Sequence, residues 1–153
     1  MEKYKVLIIE DDATAREQLA KVIQKEGFEV VVAEDGRVGL EMFKNERPEI
    51  VITDLKMPSI DGLEVMRTVR RFSTNVPIIL ITAYGETDTA ISALREGALD
   101  YLKKPLNLNL LILSLGRAKE KIFEYKKAPQ FPNLLLADDE EMTRRRIARV
   151  LEK

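Results

Sequence analysis

The sequence contains no cysteine and no histidine. Without cysteine, disulfides and thiolate metal sites are excluded, which fits a reducing interior. Without histidine, any mechanism that needs an imidazole base or a phosphohistidine on this chain is ruled out. An excess of one charge is also lacking. The 25 Lys and Arg stand against 26 Asp and Glu, for a formal net charge of −1. A general nucleic-acid-binding surface needs a basic excess, so that balance argues against one. No apolar run approaches the roughly 20 residues that span a bilayer. The opening Met1-Glu2-Lys3-Tyr4-Lys5 runs straight into an apolar strand and has no signal-peptide layout. The expectation is a soluble, cytoplasmic protein with no direct contact to nucleic acid or membrane. At 153 residues there is room for one domain with a full core and not for two ordinary ones.

Short β-branched runs alternate with longer segments of helical period, the pattern of βαβ units on a parallel sheet. The composition predicts strands near 5–9, 29–33, 49–53, 77–81 and 99–102. Each is nearly all apolar, as strands covered on both faces must be. In the first helix Ala15, Leu19, Val22 and Ile23 share one face, with charges between them and Gly27 as the stop. Further helices fit 36–45, 62–71 and 86–96, and a fifth runs from just after Pro105 to about Lys127. Five such units with right-handed crossovers give an open, doubly wound α/β sheet. In one common version the strand order is 2-1-3-4-5, with a switch point between the first and third strands.

Residues 134–153 resemble residues 6–25: Glu10 maps to Asp138, Asp11 to Asp139, Arg16 to Arg144, Leu19 to Ile147, Val22 to Val150 and Ile23 to Leu151. Residues 126–133, with two prolines, read as a linker before this repeat. The organisation predicted is a main domain over 1–125, the linker, and the opening strand and helix of a truncated second domain. The plainer alternative is a chance apolar run followed by an amphipathic tail helix. Arg144-Arg145-Arg146 is read as a solvated helix face, because one basic triplet without aromatics is weak evidence for nucleic acid.

Four of the strands end in polar groups. The first runs into Glu10-Asp11-Asp12, the third into Asp54, the fourth into Thr82 and the fifth into Lys103-Lys104-Pro105. Ligands in doubly wound sheets bind beyond the carboxyl ends of the strands at the switch point, so the fold gathers these groups into one pocket. Glu10, Asp11 and Asp54 together would repel strongly if left bare. Such hard oxygen ligands call for a divalent cation, with Mg²⁺ the usual answer where phosphate is handled. Lys104 adds a compact positive charge and Thr82 a hydroxyl. A carboxylate nucleophile, a metal, a lysine and a hydroxyl suit phosphoryl transfer.

The motif set Glu10-Asp11, Asp54-Leu55-Lys56-Met57-Pro58-Ser59-Ile60-Asp61-Gly62, Thr82-Ala83 and Gly97-Ala98-Leu99-Asp100-Tyr101-Leu102, leading into Lys104-Pro105, resembles the response-regulator receiver domain of two-component signalling. The resemblance covers residues 4–125 or so. It implies a flavodoxin-like fold and an Asp54 that accepts a phosphoryl group from the phosphohistidine of a sensor histidine kinase or phosphotransfer protein. It also implies Mg²⁺ held by Asp11, Asp54 and the backbone carbonyl of Lys56, with Glu10 acting through water. Lys104 would pair with the phosphoryl group, aimed by a cis Lys104–Pro105 bond. Asp12 is an alternative member of the acidic pair, but its spacing to Arg16 favours Glu10-Asp11 and leaves Asp12 to the first helical turn. Thr82 and Tyr101 resemble the switch pair that alters the face made by the fourth helix, fifth strand and fifth helix, a candidate homodimer surface. Lys56 and Tyr84 occupy the two positions that tune phosphoryl lifetime in the family. Neither is an amide or acid that would orient water, so slow autodephosphorylation is expected.

Each residue also has a plainer reading. Asp11 and Asp12 suit helix N-caps, Thr82 and Tyr101 suit ordinary strand positions, and Lys103-Lys104 suits a solvated loop. The joint arrangement at four strand ends favours the functional reading. Two rival functions are an aspartyl-nucleophile phosphohydrolase and a structural receiver that is never phosphorylated. The first expects its nucleophile after the first strand with an acid two residues on, and Asp54-Leu55-Lys56 lacks that acid. On the fifth helix the stripe Leu111, Leu115, Ala118 and Ile122 suffices to pack on the sheet. Surplus leucines before it either thicken the core contact or meet another protomer or the repeat segment.

Overall fold

The computed structural model describes residues 3–83 and 87–127. Strands β1 (Lys5–Ile9), β2 (Glu29–Ala33), β3 (Ile50–Asp54), β4 (Ile78–Thr82) and β5 (Asp100–Lys103) alternate with five helices. These are α1 (Ala13–Lys25), α2 (Gly36–Glu46), α3 (Gly62–Phe72), α4 (Thr87–Arg95) and α5 (Leu108–Lys127). All strand pairs are parallel, in the order β2-β1-β3-β4-β5. The expected doubly wound α/β sheet is therefore what the chain forms, with its switch point between β1 and β3.

The strands form where stiff β-branched side chains cluster, because these lose little freedom in extended backbone and pack well on a pleated surface. Every residue of β3 and β4 is buried, which explains why alternation is absent from their sequences. Successive side chains feed two separate cores. On one face Val6, Ile8, Ile50, Ile52, Ile79 and Ile81 meet α1 and α5 through Leu19, Ile23, Leu111 and Leu115. On the other, Leu7, Ile9, Val51, Ile78 and Leu80 meet Phe43 of α2, Val65 and Met66 of α3, and Ala93 of α4. At the end of α1, Gly27 adopts φ 95°, the left-handed region that only glycine enters without cost.

The structure moves several expected boundaries. The strands expected at 49–53, 77–81 and 99–102 each lie one residue later, because the ladder continues past their ends. Leu55 N–H donates to the Ile81 carbonyl and Lys104 N–H to the Thr82 carbonyl, both at 2.8 Å. Asp54 thus sits inside β3 as its last residue. Helix α5 starts at Leu108, not directly after Pro105, because the Asn107 carboxamide oxygen accepts the N–H groups of Asn109 (2.9 Å) and Leu110 (3.3 Å) and so caps it. The same helix ends at Lys127, as expected, and so takes in Lys126 and Lys127, which the linker was also expected to include. The rest of that linker, the repeat at 134–153 and Tyr84 lie outside the described residues.

The expected α5 stripe of Leu111, Leu115, Ala118 and Ile122 is buried, whereas Leu108, Leu110, Ile112 and Leu113 are exposed, Leu113 at 63 %. Leu111→Ala is expected to cost about 2–5 kcal/mol by opening a cavity between α5 and the sheet. Leu113→Ala is expected to stay within about 0.5 kcal/mol of the parent. Urea unfolding of both variants tests the pair, and equal losses would contradict the burial pattern.

Candidate functional site

The carboxyl ends of the strands deliver the chemistry to one place. Glu10 directly follows β1, Asp54 ends β3, and Lys104 directly follows β5. The Lys104 ammonium lies 2.9 Å from Asp54 Oδ2 and 3.2 Å from Glu10 Oε1, joining segments far apart in the chain. One carboxylate oxygen each from Glu10, Asp11 and Asp54 lie within 4.8 Å of one another. Glu10 and Asp54 are buried, whereas Asp11 is exposed at the mouth.

Local bonds hold this arrangement. Glu10 Oε2 accepts the Asp12 N–H at 3.1 Å, and Arg16 Nη1 donates to the Glu10 carbonyl at 2.8 Å. Asp12 itself is the N-cap of α1, its carboxylate accepting the Ala15 N–H at 2.8 Å. It therefore belongs to the helix terminus just ahead of the first turn, and is not one of the three clustered carboxylates. Asp61 caps α3 in the same way through the Glu64 N–H at 2.9 Å. Behind Asp54, Gly62 passes so close that a Cβ there would collide with the Asp54 carbonyl oxygen and lie 2.8 Å from Leu55 Cα. No side chain fits between α3 and the end of β3.

The remaining expected residues are placed less uniformly. Thr82 ends β4 and is buried, one register position past the Asp54–Ile81 pair. Tyr101 is half-buried in β5 and packs against the core under α2, α3 and α4. Lys56 is exposed in the loop after β3, and the Lys104–Pro105 bond is cis. Sequence reasoning did not single out the Arg16 bond to the Glu10 carbonyl or the contact at Gly62. The first had a faint signal in the Arg16–Arg144 match of the repeat. The second had one in the glycine that follows Asp61.

The sequence matches the response regulator receiver domain over residues 6–115. The chain belongs to this family. It is similar to the regulatory protein AtoC of Escherichia coli strain K12, at 40% identity over 74% of this chain and 25% of that protein. It is also similar to the response regulator MprA of Mycolicibacterium vanbaalenii, at 37% identity over 71% of this chain and 47% of that protein. The chain therefore spans between a quarter and a half of these relatives. Among solved structures, a response regulator receiver domain protein from Clostridium thermocellum superposes with a TM-score of 0.75 at 31% identity. That comparison covers 78% of this chain and 98% of the other. Among the described residues no helix is long and apolar enough to cross a membrane.

The receiver pocket carries more negative charge than its lysine balances. Burial pushes the Glu10 carboxyl up to about 7; the Asp12 N–H opposes this, and the neighbouring Asp54 charge adds to it. Burial works against the Lys104 ammonium, but its bonds and charge contacts with Asp54 and Glu10 outweigh that, and its pKa is raised. Three carboxylates facing one ammonium, in a cleft of hard oxygen donors, fit a divalent cation such as Mg²⁺.

With metal removed by a chelator, Glu10 makes stability depend on pH. Its proton is held more tightly in the folded state than in the unfolded chain. The stabilisation from that proton is full below about 4.5 and is lost as pH rises through about 7. Between those limits the wild type should lose up to about 3 kcal/mol that a non-titrating Glu10→Gln variant keeps. Urea unfolding across pH 4.5–8 with chelator present measures it, and parallel curves for the two proteins would contradict this account.

Proposed function

We propose that this receiver is a phosphorylation-activated switch with Asp54 as its phosphoacceptor. The observation that carries the proposal is the single lysine bridging Asp54 and Glu10 within a cluster of three carboxylates. The phosphodonor is a phosphohistidine on a sensor histidine kinase or phosphotransfer protein; these 153 residues hold no histidine, so they do not supply it.

In the reaction an Asp54 oxygen attacks phosphorus in line. The new O–P bond forms as the P–N bond breaks, and its electron pair leaves on the donor imidazole, which is then protonated. Bound Mg²⁺ supplies positive charge to the phosphoryl oxygens. Asp11, Asp54 and the Lys56 carbonyl would hold it. Both Glu10 oxygens already have protein partners in Lys104 and the Asp12 N–H, which supports an indirect role for Glu10 through water. Lys104 shifts from the carboxylates toward the phosphoryl group, remaining charged throughout, and limits the charge that builds up on transfer.

The Thr82 hydroxyl then bonds the phosphoryl group, and the Tyr101 ring turns inward behind it. Phosphate favours the state in which these contacts exist, so the change is a population shift. The surface that responds is the face of α4, β5 and α5, which meets an output partner or a second copy of the chain. Exposed Ile91 on α4 and Leu110 and Leu113 on α5 support an apolar contact there. The chain's only chemistry is on itself, its phosphorylation and dephosphorylation. By its sequence likeness to residues 6–25, the repeat at 134–153 reads as the opening of a second receiver-like unit, joined to the end of α5 by residues 128–133.

Incubation with acetyl phosphate and Mg²⁺, followed by mass spectrometry, should add one phosphoryl group to the wild type and none to Asp54→Ala. Labelling of both would remove Asp54 as the acceptor. The acyl phosphate should persist for minutes or longer in Mg²⁺ buffer, because neither Lys56 nor Tyr84 is an amide or acid that would orient an attacking water. Decay within seconds would overturn that expectation.

A further inference from the structure

A cleft of about 640 Å³ opens between the end of α3, the turn from α4 to β5 and the C-terminal half of α5. It shares no lining residue with the acceptor pocket. Three cations line it, Arg70, Arg117 and Lys121, against one carboxylate, Glu124. Its volume falls in the range of small-molecule sites, about 300–1,000 Å³.

Two of the cations are held in place. Arg70 is half-buried, with Nη1 donating to the Val76 carbonyl and Nη2 to the Gly97 carbonyl, both at 2.8 Å. Carbonyls orient a guanidinium without cancelling its charge, so Arg70 presents a fixed positive group. Arg117 is fixed by Asp100, whose Oδ2 accepts from Nη1 at 2.9 Å and from the buried Ser114 hydroxyl at 2.6 Å. A guanidinium has five N–H donors, and this bond engages one nitrogen. Lys121 has no ion-pair partner among the described residues. Cations held by existing contacts lose little freedom when an anion arrives, and arginine matches phosphate oxygens in pairs. Val76, Leu99 and Tyr125 give the same cleft an apolar wall with one aromatic ring.

We propose that this cleft binds a nucleoside di- or triphosphate. The phosphates lie on Arg70, Arg117 and Lys121, and the base lies against Val76, Leu99 and Tyr125. Cations and apolar side chains lining one cleft together select a ligand with a polyanionic tail and a flat ring body. Inorganic phosphates satisfy only the first part.

Titration calorimetry with ADP, in buffer containing chelator, tests this. Saturable binding of one ADP is expected, weakened about tenfold or more by Lys121→Gln and by Arg117→Gln. It should be unchanged by Lys104→Gln, and pyrophosphate should bind at least about tenfold more weakly than ADP. Lys121 is exposed, so its variant keeps the fold, and its labelling by acetyl phosphate should match the wild type. No saturable binding up to about 5 mM ADP would overturn the proposal. Loss of binding in Lys104→Gln but not in Lys121→Gln would also overturn it, by moving the ligand to the acceptor pocket. Pyrophosphate binding as tight as ADP would remove the nucleotide from it.

Discussion

One ammonium group holds the functional end of this receiver together. Lys104 reaches across from the end of β5 to contact Asp54 and Glu10 at once. Two carboxylates buried side by side are unfavourable, since each loses water and repels the other. The lysine offsets part of that cost, and the remainder appears as a Glu10 proton affinity raised to about 7. The pocket is thus poised to accept positive charge, and any group that brings it relieves an existing strain. A site built this way trades stability for chemistry, which is why acidic side chains stand where a core strand would otherwise end in an apolar residue.

The fold makes that trade possible by keeping everything behind the pocket rigid. β3 and β4 are buried throughout, and separate cores lie on the two faces of the sheet. Gly62 lets α3 start directly against the Asp54 backbone, so the acceptor is backed by main chain and has little room to retreat. Three aspartates cap α1, α2 and α3 at the same end of the sheet. Their capping bonds fix the helix termini around the carboxylate cluster without adding ligands to it.

A second polar cluster joins β5 to α5. Asp100 accepts the Tyr101 N–H at 2.9 Å through Oδ1, and through Oδ2 it accepts Ser114 and Arg117. The Ser114 bond is partly buried, and such a bond makes neighbouring elements costly to separate. The backbone of Tyr101 is consequently linked through Asp100 to the middle of α5. Arg117 belongs both to this cluster and to the cationic cleft, so the cleft is mechanically close to the residue proposed as the switch.

Much of the architecture was legible from residue order alone. Continuous β-branched runs marked strands covered on both faces, and the helical period on α1 and α5 identified the faces that pack. Glu10, Asp54, Thr82 and Lys104 were recognisable because each follows or ends such a run, and a parallel sheet puts all those ends on one side. The boundaries were less legible. Whether a ladder reaches Asp54 or stops before it depends on a neighbouring strand, and the start of α5 depends on a cap at Asn107. Which of Asp11 and Asp12 caps α1, the Arg16 bond to the Glu10 carbonyl and the approach of Gly62 to Asp54 depend on close-range geometry that no spacing rule specifies. Periodicity and residue type, being properties of the chain itself, determined the fold class and the group of residues that meet. Only the packed structure decided which oxygen faces which nitrogen and how far Glu10 is desolvated, because those depend on distances between segments set by the whole core.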